Sequence, residues 1–319
     1  MNLGVAGEVR FVVTKADGSV KTDTGFQKNL ILNQGLDFFG GGKGTSFNAS
    51  CAIGSGNSTP NITQNGLDAY IAQQSGVETV SSFDYTDTGD GLYRMSEQKK
   101  YRFTGLSDVN ISEVGLASTG STESSYYLTT RALIKDSAGV PTTISVLSGE
   151  TLDVIYKIHK VVNTGDTASV INILDGAGGA VPYNVVVRPA RVGETNWKLI
   201  STDSTSFPSE LGFATTDIVE FVSFPSLGKV NANVQKSTSS YVNGSFKSTI
   251  TLTAGLSEGN ISIRSITPFT GGATPNNYGF FNFQMRLGRV SDDAPLTKTD
   301  KDTLTIPFEI SWGRYEGAL

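Results

Sequence analysis

The sequence has little charge, one cysteine and one histidine. Charged residues make up 17% of its 319 residues, and Cys51 and His159 are the only residues of their kinds. A lone thiol cannot close a disulfide within the chain, and one histidine with one cysteine cannot assemble a His/Cys metal site. We therefore expect a fold that needs neither an oxidising compartment nor such a site.

Clusters of basic residues and long apolar runs are also missing. The formal net charge is −5, and a groove that follows nucleic-acid phosphates needs clustered Lys and Arg, so we expect no nucleic-acid partner. No stretch approaches the roughly 20 apolar residues that cross a bilayer. Residues 1–5 lack the basic and apolar regions of a secretory signal. These absences predict a protein that is made in a cytoplasm and has no membrane partner.

Glycine is abundant, with 36 residues, and apolar residues alternate with polar ones in several segments. The clearest is Leu304–Trp312, and Leu152–His159 shows the same period of two. Such alternation is typical of half-buried strands in antiparallel sheets. Pro307 falls on the outward set, and its missing N–H predicts an edge strand or a bulge.

Matching features recur at a spacing of about 150 residues. Gly105-Leu106-Ser107 opens one series and Gly255-Leu256-Ser257 opens the other, and each series closes with an alternating strand. Near the beginnings, Asp17-Gly18 and Asp175-Gly176 predict hairpin turns, because Gly tolerates a positive φ. We interpret the chain as all-β, with two tandem antiparallel β-sandwich domains of jelly-roll type, residues 1–163 and 164–319, produced by an internal duplication.

Only two short helices are expected. Leu67, Tyr70 and Ile71 have helical spacing within Gly66–Gln74, and a second helix is predicted near Leu36–Phe39.

Few residues suggest chemistry, and we predict no catalytic and no cofactor-binding residues. A catalytic His159 would need a nucleophile for which no elbow motif exists, so a strand-end residue facing water is the preferred interpretation. Asp84, Asp87 and Asp90 offer carboxylates for a calcium ion, although the spacing is not that of an EF-hand and a solvated turn is the alternative. The Gly40–Thr45 run lacks the spacing of a phosphate-binding loop.

Four elements of the first half occur in an order that resembles virion structural proteins of tailed bacteriophages. They are Phe26–Asp37, the Gly-rich stretch Ile53–Pro60, the pair Lys100–Phe103 and Asn110–Gly115, and the segment Arg131–Leu147. The second half retains only the Asn-Ile-Ser element and the strand rhythm.

The resemblance implies a non-enzymatic structural component of the virion, most simply in the tail, neck or fibre-attachment region. Its implied partners are copies of itself and other virion proteins, and it would be synthesised in the host bacterial cytoplasm. The alternatives are a head decoration protein and a host-surface glycan-binding adhesin. A polysaccharide depolymerase has the least support.

Overall fold

The structure, a computed structural model, describes residues 2–41, 47–75, 78–87, 89–118, 127–190, 210–220, 228–231, 235–269 and 283–319. Strands predominate among these residues, as predicted for an all-β chain. One α-helix and one 3-10 helix accompany the strands in the described ranges. No helix in this part of the chain is long and apolar enough to cross a membrane.

The described part of the first half contains twelve strands and the helix. They are β1 (Asn2–Thr14), β2 (Val20–Asp23), β3 (Gln27–Ile31), α1 (Asn33–Gly41), β4 (Ser50–Gly54), β5 (Tyr70–Ser75), β6 (Glu78–Asp87), β7 (Leu92–Phe103), β8 (Val109–Ile111), β9 (Glu113–Ala117), β10 (Thr130–Leu133), β11 (Ile144–Val146) and β12 (Thr151–Asn163).

The described part of the second half contains eleven strands and the 3-10 helix Leu256–Glu258. The strands are β13 (Thr167–Leu174), β14 (Ala180–Pro189), β15 (Glu210–Ala214), β16 (Lys229–Asn231), β17 (Gln235–Thr238), β18 (Lys247–Ala254), β19 (Ile261–Ile263), β20 (Ser265–Phe269), β21 (Phe283–Arg289), β22 (Leu296–Lys298) and β23 (Leu304–Arg314).

The two alternating segments form β12 and β23, as predicted. In β23, Phe308, Ile310 and Trp312 are buried while Thr305, Pro307 and Glu309 are exposed, so the period of two does divide a core face from a solvent face. Pro307 lies on an unpaired edge, also as predicted. Among the described strands, β23 pairs with β18 along Leu304–Ser311 and with β1 only over Ser311–Arg314.

The strands of the two halves pair in the same order. Strands β3 to β12 correspond in sequence order to β14 to β23. The corresponding pairs are β3–β10 and β14–β21, β4–β5 and β15–β16, β4–β9 and β15–β20, β6–β7 and β17–β18, β7–β12 and β18–β23, β8–β11 and β19–β22, and β9–β10 and β20–β21.

The strand that opens each half breaks this correspondence. In the first half β1 lies between β12 and β3, with twelve residues paired to β12 from Leu3 to Thr14. In the second half β13 pairs only with β14 among the described strands. The end of β23 instead pairs in parallel with Asn2–Val5 of β1. One sheet therefore runs across the predicted boundary at residue 163.

Side chains of β23 also join the halves around α1. Trp312 Nε1 donates to the Leu36 carbonyl at 2.7 Å, and Arg314 Nη2 donates to Asn33 Oδ1 at 2.6 Å. Tyr241 stacks on Trp312, with ring centroids 5.8 Å apart, and its hydroxyl donates to Asp37 Oδ1 at 2.6 Å. Helix α1 is thus packed between the two halves.

Helix α1 confirms the helix expected near Leu36–Phe39, whereas the helix predicted for Gly66–Gln74 is wrong. Residues 70–75 form strand β5, which pairs antiparallel with β4. Pairing along β4 satisfies the backbone of this segment, and this tertiary contact outweighs a short helical spacing that begins at an unfavourable glycine.

Both predicted hairpin turns are present, but the second differs in detail. Lys15 N–H donates to the Ser19 carbonyl, and Gly18 has a φ of +85°. In the second turn Asp175 N–H donates to the Gly179 carbonyl, and the left-handed residue is Gly178, with a φ of +82°. Gly176 does not take that role, because each loop contains three residues and needs the positive φ at its last one.

Candidate functional site

A buried ion pair, Glu113 and Arg131, organises the most elaborate polar cluster among the described residues. Glu113 begins β9 and Arg131 lies in β10, and both side chains are 0% exposed. The residues around them in these strands are buried and, apart from Thr130, not polar. Charged side chains are tolerated in such places only when they are paired and hydrogen-bonded.

The Glu113 carboxylate gathers backbone N–H groups from residues 55–69, the segment that joins β4 to β5, which we call the braced loop. It accepts hydrogen bonds from Gly56 N–H at 2.9 Å, Ala69 N–H at 2.8 Å and Asp68 N–H at 3.1 Å. Arg131 Nε donates to the same carboxylate at 2.9 Å. Both ends of the loop are therefore held at one buried anion.

The Arg131 guanidinium holds the middle of the braced loop. Nη1 donates to Gln64 Oε1 at 2.8 Å and to Ser58 Oγ at 3.3 Å, and Nη2 donates to Asp68 Oδ2 at 2.8 Å. Hydrogen bonding from Ser58, with the nearby Arg131 charge, lowers the pKa of Asp68 below its ordinary value. Asp68 is thus a stable anion at neutral pH and completes the network.

Two glycines allow the braced loop to approach Glu113. A Cβ on Gly54 would lie 2.5 Å from the Ala69 carbonyl oxygen and 2.6 Å from Glu113 Oε1. A Cβ on Gly56 would lie 2.4 Å from both Asp68 Cβ and Glu113 Oε1. Any larger residue would displace the carboxylate, so the Gly-x-Gly spacing is a requirement of this site.

The tip of the loop is attached to the start of α1. Asn33 N–H donates to the Ile62 carbonyl at 2.8 Å, and Gln34 Nε2 donates to the Asn65 carbonyl at 3.1 Å. The outer surface of the loop exposes Ile62 and Asp68 but mainly amide and hydroxyl side chains, which are Ser55, Asn57, Ser58, Thr59, Asn61, Thr63 and Asn65.

The two charges at the centre of this arrangement are closed to solvent. The Glu113 carboxylate is buried and surrounded by donors, so it is not available as a general base. Groups of three or more His, Cys, Asp or Glu side chains that could hold a metal are absent from the described residues. The site presents an ordered polar surface on a loop that its buried charges hold in place.

Comparison with known proteins identifies no relative. No protein-family model matches the chain, and no curated protein or solved structure matches it either.

The expectation that His159 ends a strand and faces water is wrong. His159 is 6% exposed, and its Nε2 lies 2.9 Å from Glu8 Oε2. Strand β12 continues to Asn163 and has β1 and β7 on its two sides, so His159 lies well inside a sheet. Ser96 lies directly across from it on β7, but no hydrogen bond joins Ser96 to His159 in the structure as described.

The calcium prediction remains a prediction. The backbones of Asp84 and Asp87 belong to β6, but their side chains lie outside the described part of the structure. The Asp90 carboxylate forms an ion pair with Arg94, at 2.8 Å, and accepts the N–H of Leu92 at 3.0 Å. Of the Gly40–Thr45 run, residues 42–45 are likewise outside the described residues.

Sequence reasoning did not single out Glu113 and Arg131 as partners, although a signal existed. Each is a single charge in an otherwise apolar strand segment, Glu113–Ala117 or Arg131–Ile134. Buried charges of opposite sign in neighbouring strands predict an ion pair. The residues that complete the network, in the braced loop, carry no comparable signal.

Proposed function

We propose that the chain is a non-enzymatic structural component of a tailed-phage virion, in the tail, neck or fibre-attachment region, that assembles with copies of itself and with other virion proteins. One observation carries the proposal: a segment from each of the four elements that resemble such proteins lies at or beside the Glu113–Arg131 ion pair. Ile53–Pro60 supplies Gly54 and Gly56, Asn110–Gly115 supplies Glu113, and the last element begins at Arg131.

Convergence supports the resemblance because the elements are far apart in sequence yet form one hydrogen-bonded unit. Phe26–Asp37 joins the same unit through Asn33 and Gln34, which hold the tip of the braced loop. Four matches of this kind are better explained by a common structural requirement than by four separate coincidences.

We also infer that the two halves are tandem copies of one antiparallel β-sandwich module of jelly-roll type. The matching order of strand pairs supports this inference. So does the position of two buried polar residues: Ser265 and Gln284 occupy in β20 and β21 the places that Glu113 and Arg131 occupy in β9 and β10. Repeated modules give a virion component repeated surfaces for assembly.

A second candidate is a host-surface glycan-binding adhesin, which the exposed surface of the braced loop favours. Amide and hydroxyl groups held in fixed positions can exchange hydrogen bonds with sugar hydroxyls. A glycan array probed with the full chain tests this candidate. Binding that is lost in Asn61→Ala and Thr63→Ala, with retained thermal stability, would support it.

The decisive experiment is immunogold labelling of purified particles of the encoding phage, with an antibody against the recombinant chain and mass spectrometry of the same particles. Label at the tail, neck or fibre base is the expected result. Label over the head would replace the proposal with a decoration protein. Absence of the chain from particles by mass spectrometry would overturn the virion role.

A further inference from the structure

Strand β13 is an exposed edge that no described element covers. Seven of its eight residues are exposed, and Ile173 is half-buried. The apolar side chains Val170 and Leu174 are 62% and 70% exposed, and Ile171 also faces solvent. Exposed apolar residues on both faces of an edge strand mark a surface that pairs with another chain.

Two of the other open edges among the described strands carry features that oppose pairing. The open stretch of β23 contains Pro307, whose nitrogen points away from β18 and lacks a hydrogen, and β17 carries Lys236. Charge and proline are the usual protection of edge strands. Strand β13 contains neither from Thr167 to Leu174.

Hydrogen-bonding groups of β13 are correctly placed for a new strand. Asp175 N–H donates to Gly179 on the β14 side, and in an antiparallel strand alternate residues point to opposite edges. The N–H and C=O groups of Val170, Asn172 and Leu174 therefore point to the open edge.

The sequence around Asn172 is self-complementary. Residues 170–174 read Val-Ile-Asn-Ile-Leu, with the same order of polarity in both directions. We propose that β13 pairs antiparallel with β13 of a second copy of this chain, about a two-fold axis that passes beside Asn172. Val170 then lies opposite Leu174 of the second copy, and Ile171 opposite Ile173.

This register identifies a second copy as the occupant. About a two-fold axis normal to the sheet, an even-numbered residue can lie opposite only an even-numbered one and an odd-numbered residue opposite only an odd-numbered one, because paired side chains lie on the same face of the sheet. Centring the axis on Val170 or Ile171 would place Asn172 opposite Ala168 or Val170, whereas centring it on Asn172 places amide against amide and apolar against apolar. Without charge in the strand, two copies approach without like-charge repulsion.

Pairing of this kind extends the sheet β13-β14-β21-β20-β15-β16 across the axis and covers the exposed apolar residues of both strands. The inference deepens the proposed function, since it specifies one contact between copies of a virion component. The contact itself can be measured on the isolated chain.

Disulfide trapping of the full chain tests the register. In Asn172→Cys the two introduced thiols would face each other in a hydrogen-bonded pair, where Cα atoms lie about 5.5 Å apart, within the range of a disulfide. Mild oxidation should give a covalent dimer. Ala168→Cys is the matched control, because its thiol would lie opposite residue 176 of the second copy, and it should form no covalent dimer. The native Cys51 is buried and should not react.

Sedimentation across a concentration series tests the contact without crosslinking. The unmodified chain should dimerise. Asn172→Lys places two ammonium groups opposite each other and should raise the dissociation constant of the dimer about fivefold. Ser237→Lys, on the exposed edge strand β17, should leave it unchanged. A chain that stays monomeric, or equal trapping of the two cysteine variants, would overturn the proposal. If the chain dimerises but is absent from phage particles, the contact between copies is supported and the virion role is overturned.

Discussion

The loop after β4 and the corresponding loop after β15 are bound by different side chains at matching positions of the two halves. After β4, the braced loop is bound by the ion pair of Glu113 and Arg131. After β15, the side chains at the two matching positions are neutral: Ser265 Oγ donates to the Thr216 carbonyl at 2.9 Å, and Gln284 Oε1 accepts the Val219 N–H at 2.8 Å. The charged contacts of this segment, Arg286 with Asp217 and Arg188 with Glu220, come from other positions. The register supports this correspondence. Glu113 lies opposite Leu133, two residues after Arg131, and Ser265 lies opposite Arg286, two residues after Gln284.

This difference shows what a buried charge adds to such a position. A carboxylate accepts several N–H groups at once and a guanidinium donates in several directions, so a pair can hold a long loop at both ends and in its middle. A serine and a glutamine reach only nearby backbone groups. The cost is the desolvation of two ions, which is offset only while both remain.

Removing one charge should give the largest effect. Arg131→Met leaves Glu113 buried without its cation, and we expect a loss of about 3–5 kcal/mol in the free energy of unfolding. Gln284→Met, the matched change in the second half, should cost about 1–2 kcal/mol, because it leaves only neutral groups unpaired. Urea denaturation of both variants measures the two losses.

A double variant checks the cause of that loss. Glu113→Gln combined with Arg131→Met removes the unpaired charge and should be more stable than Arg131→Met alone. Hydrogen exchange should show lost protection at the Gly56 and Ala69 amides in Arg131→Met. Equal losses for Arg131→Met and Gln284→Met would mean that charge makes no difference between the halves.

Adding a methyl group under the braced loop should have the next largest effect. In Gly56→Ala the new Cβ would lie 2.4 Å from Glu113 Oε1, and the forced displacement should cost about 1–3 kcal/mol. Gly255→Ala is the control in the second half, because no atom lies within 4 Å of its Cβ position and its φ is −77°. Thermal unfolding should separate the two variants, and a Gly56→Ala protein as stable as the control would contradict the close approach.

The hairpin turn that opens the second half contains two glycines that should respond differently to substitution. Gly178 has a φ of +82°, so Gly178→Ala should cost about 1 kcal/mol through backbone strain. Gly176→Ala should cost nothing or stabilise slightly, because Gly176 has no positive φ and its nearest neighbour, Asp302 Oδ1, lies 3.7 Å from the Cβ position. Denaturant midpoints of the two variants test which glycine the turn requires, and the opposite ranking would restore Gly176 as the left-handed residue.

What could be predicted from the sequence follows from the range of the interactions involved. Alternation within β12 and β23, the helix at Leu36–Phe39 and the edge position of Pro307 depend on neighbouring residues and are visible as local patterns. The strand at residues 70–75 depends on pairing with β4, and local spacing alone indicated a helix. The burial of His159 depends on β1 and β7, and the site depends on contacts of Arg131 with residues more than sixty positions earlier.

The smallest effect concerns the contact between β1 and β12, which has no counterpart at β13. The hydrogen bond with His159, more than any other contact, lowers the pKa of Glu8 below its ordinary value of 4.5. A carboxyl whose pKa falls on folding stabilises the fold above its unfolded pKa, and this stabilisation disappears as the pH falls through the folded pKa. Glu8→Gln should therefore cost about 0.5 kcal/mol at pH 7 and progressively less below pH 4.5.

Urea denaturation of the wild type and of Glu8→Gln at several pH values measures this difference. His159→Gln should change the pH dependence in the same way, because it removes the other partner of the same bond. The double variant should then cost less than the two single losses combined, since partners in one contact are not additive. Parallel stability curves for the wild type and Glu8→Gln across this pH range would mean that the β1–β12 contact contributes no ionic term, leaving strand pairing alone as the difference between β1 and β13.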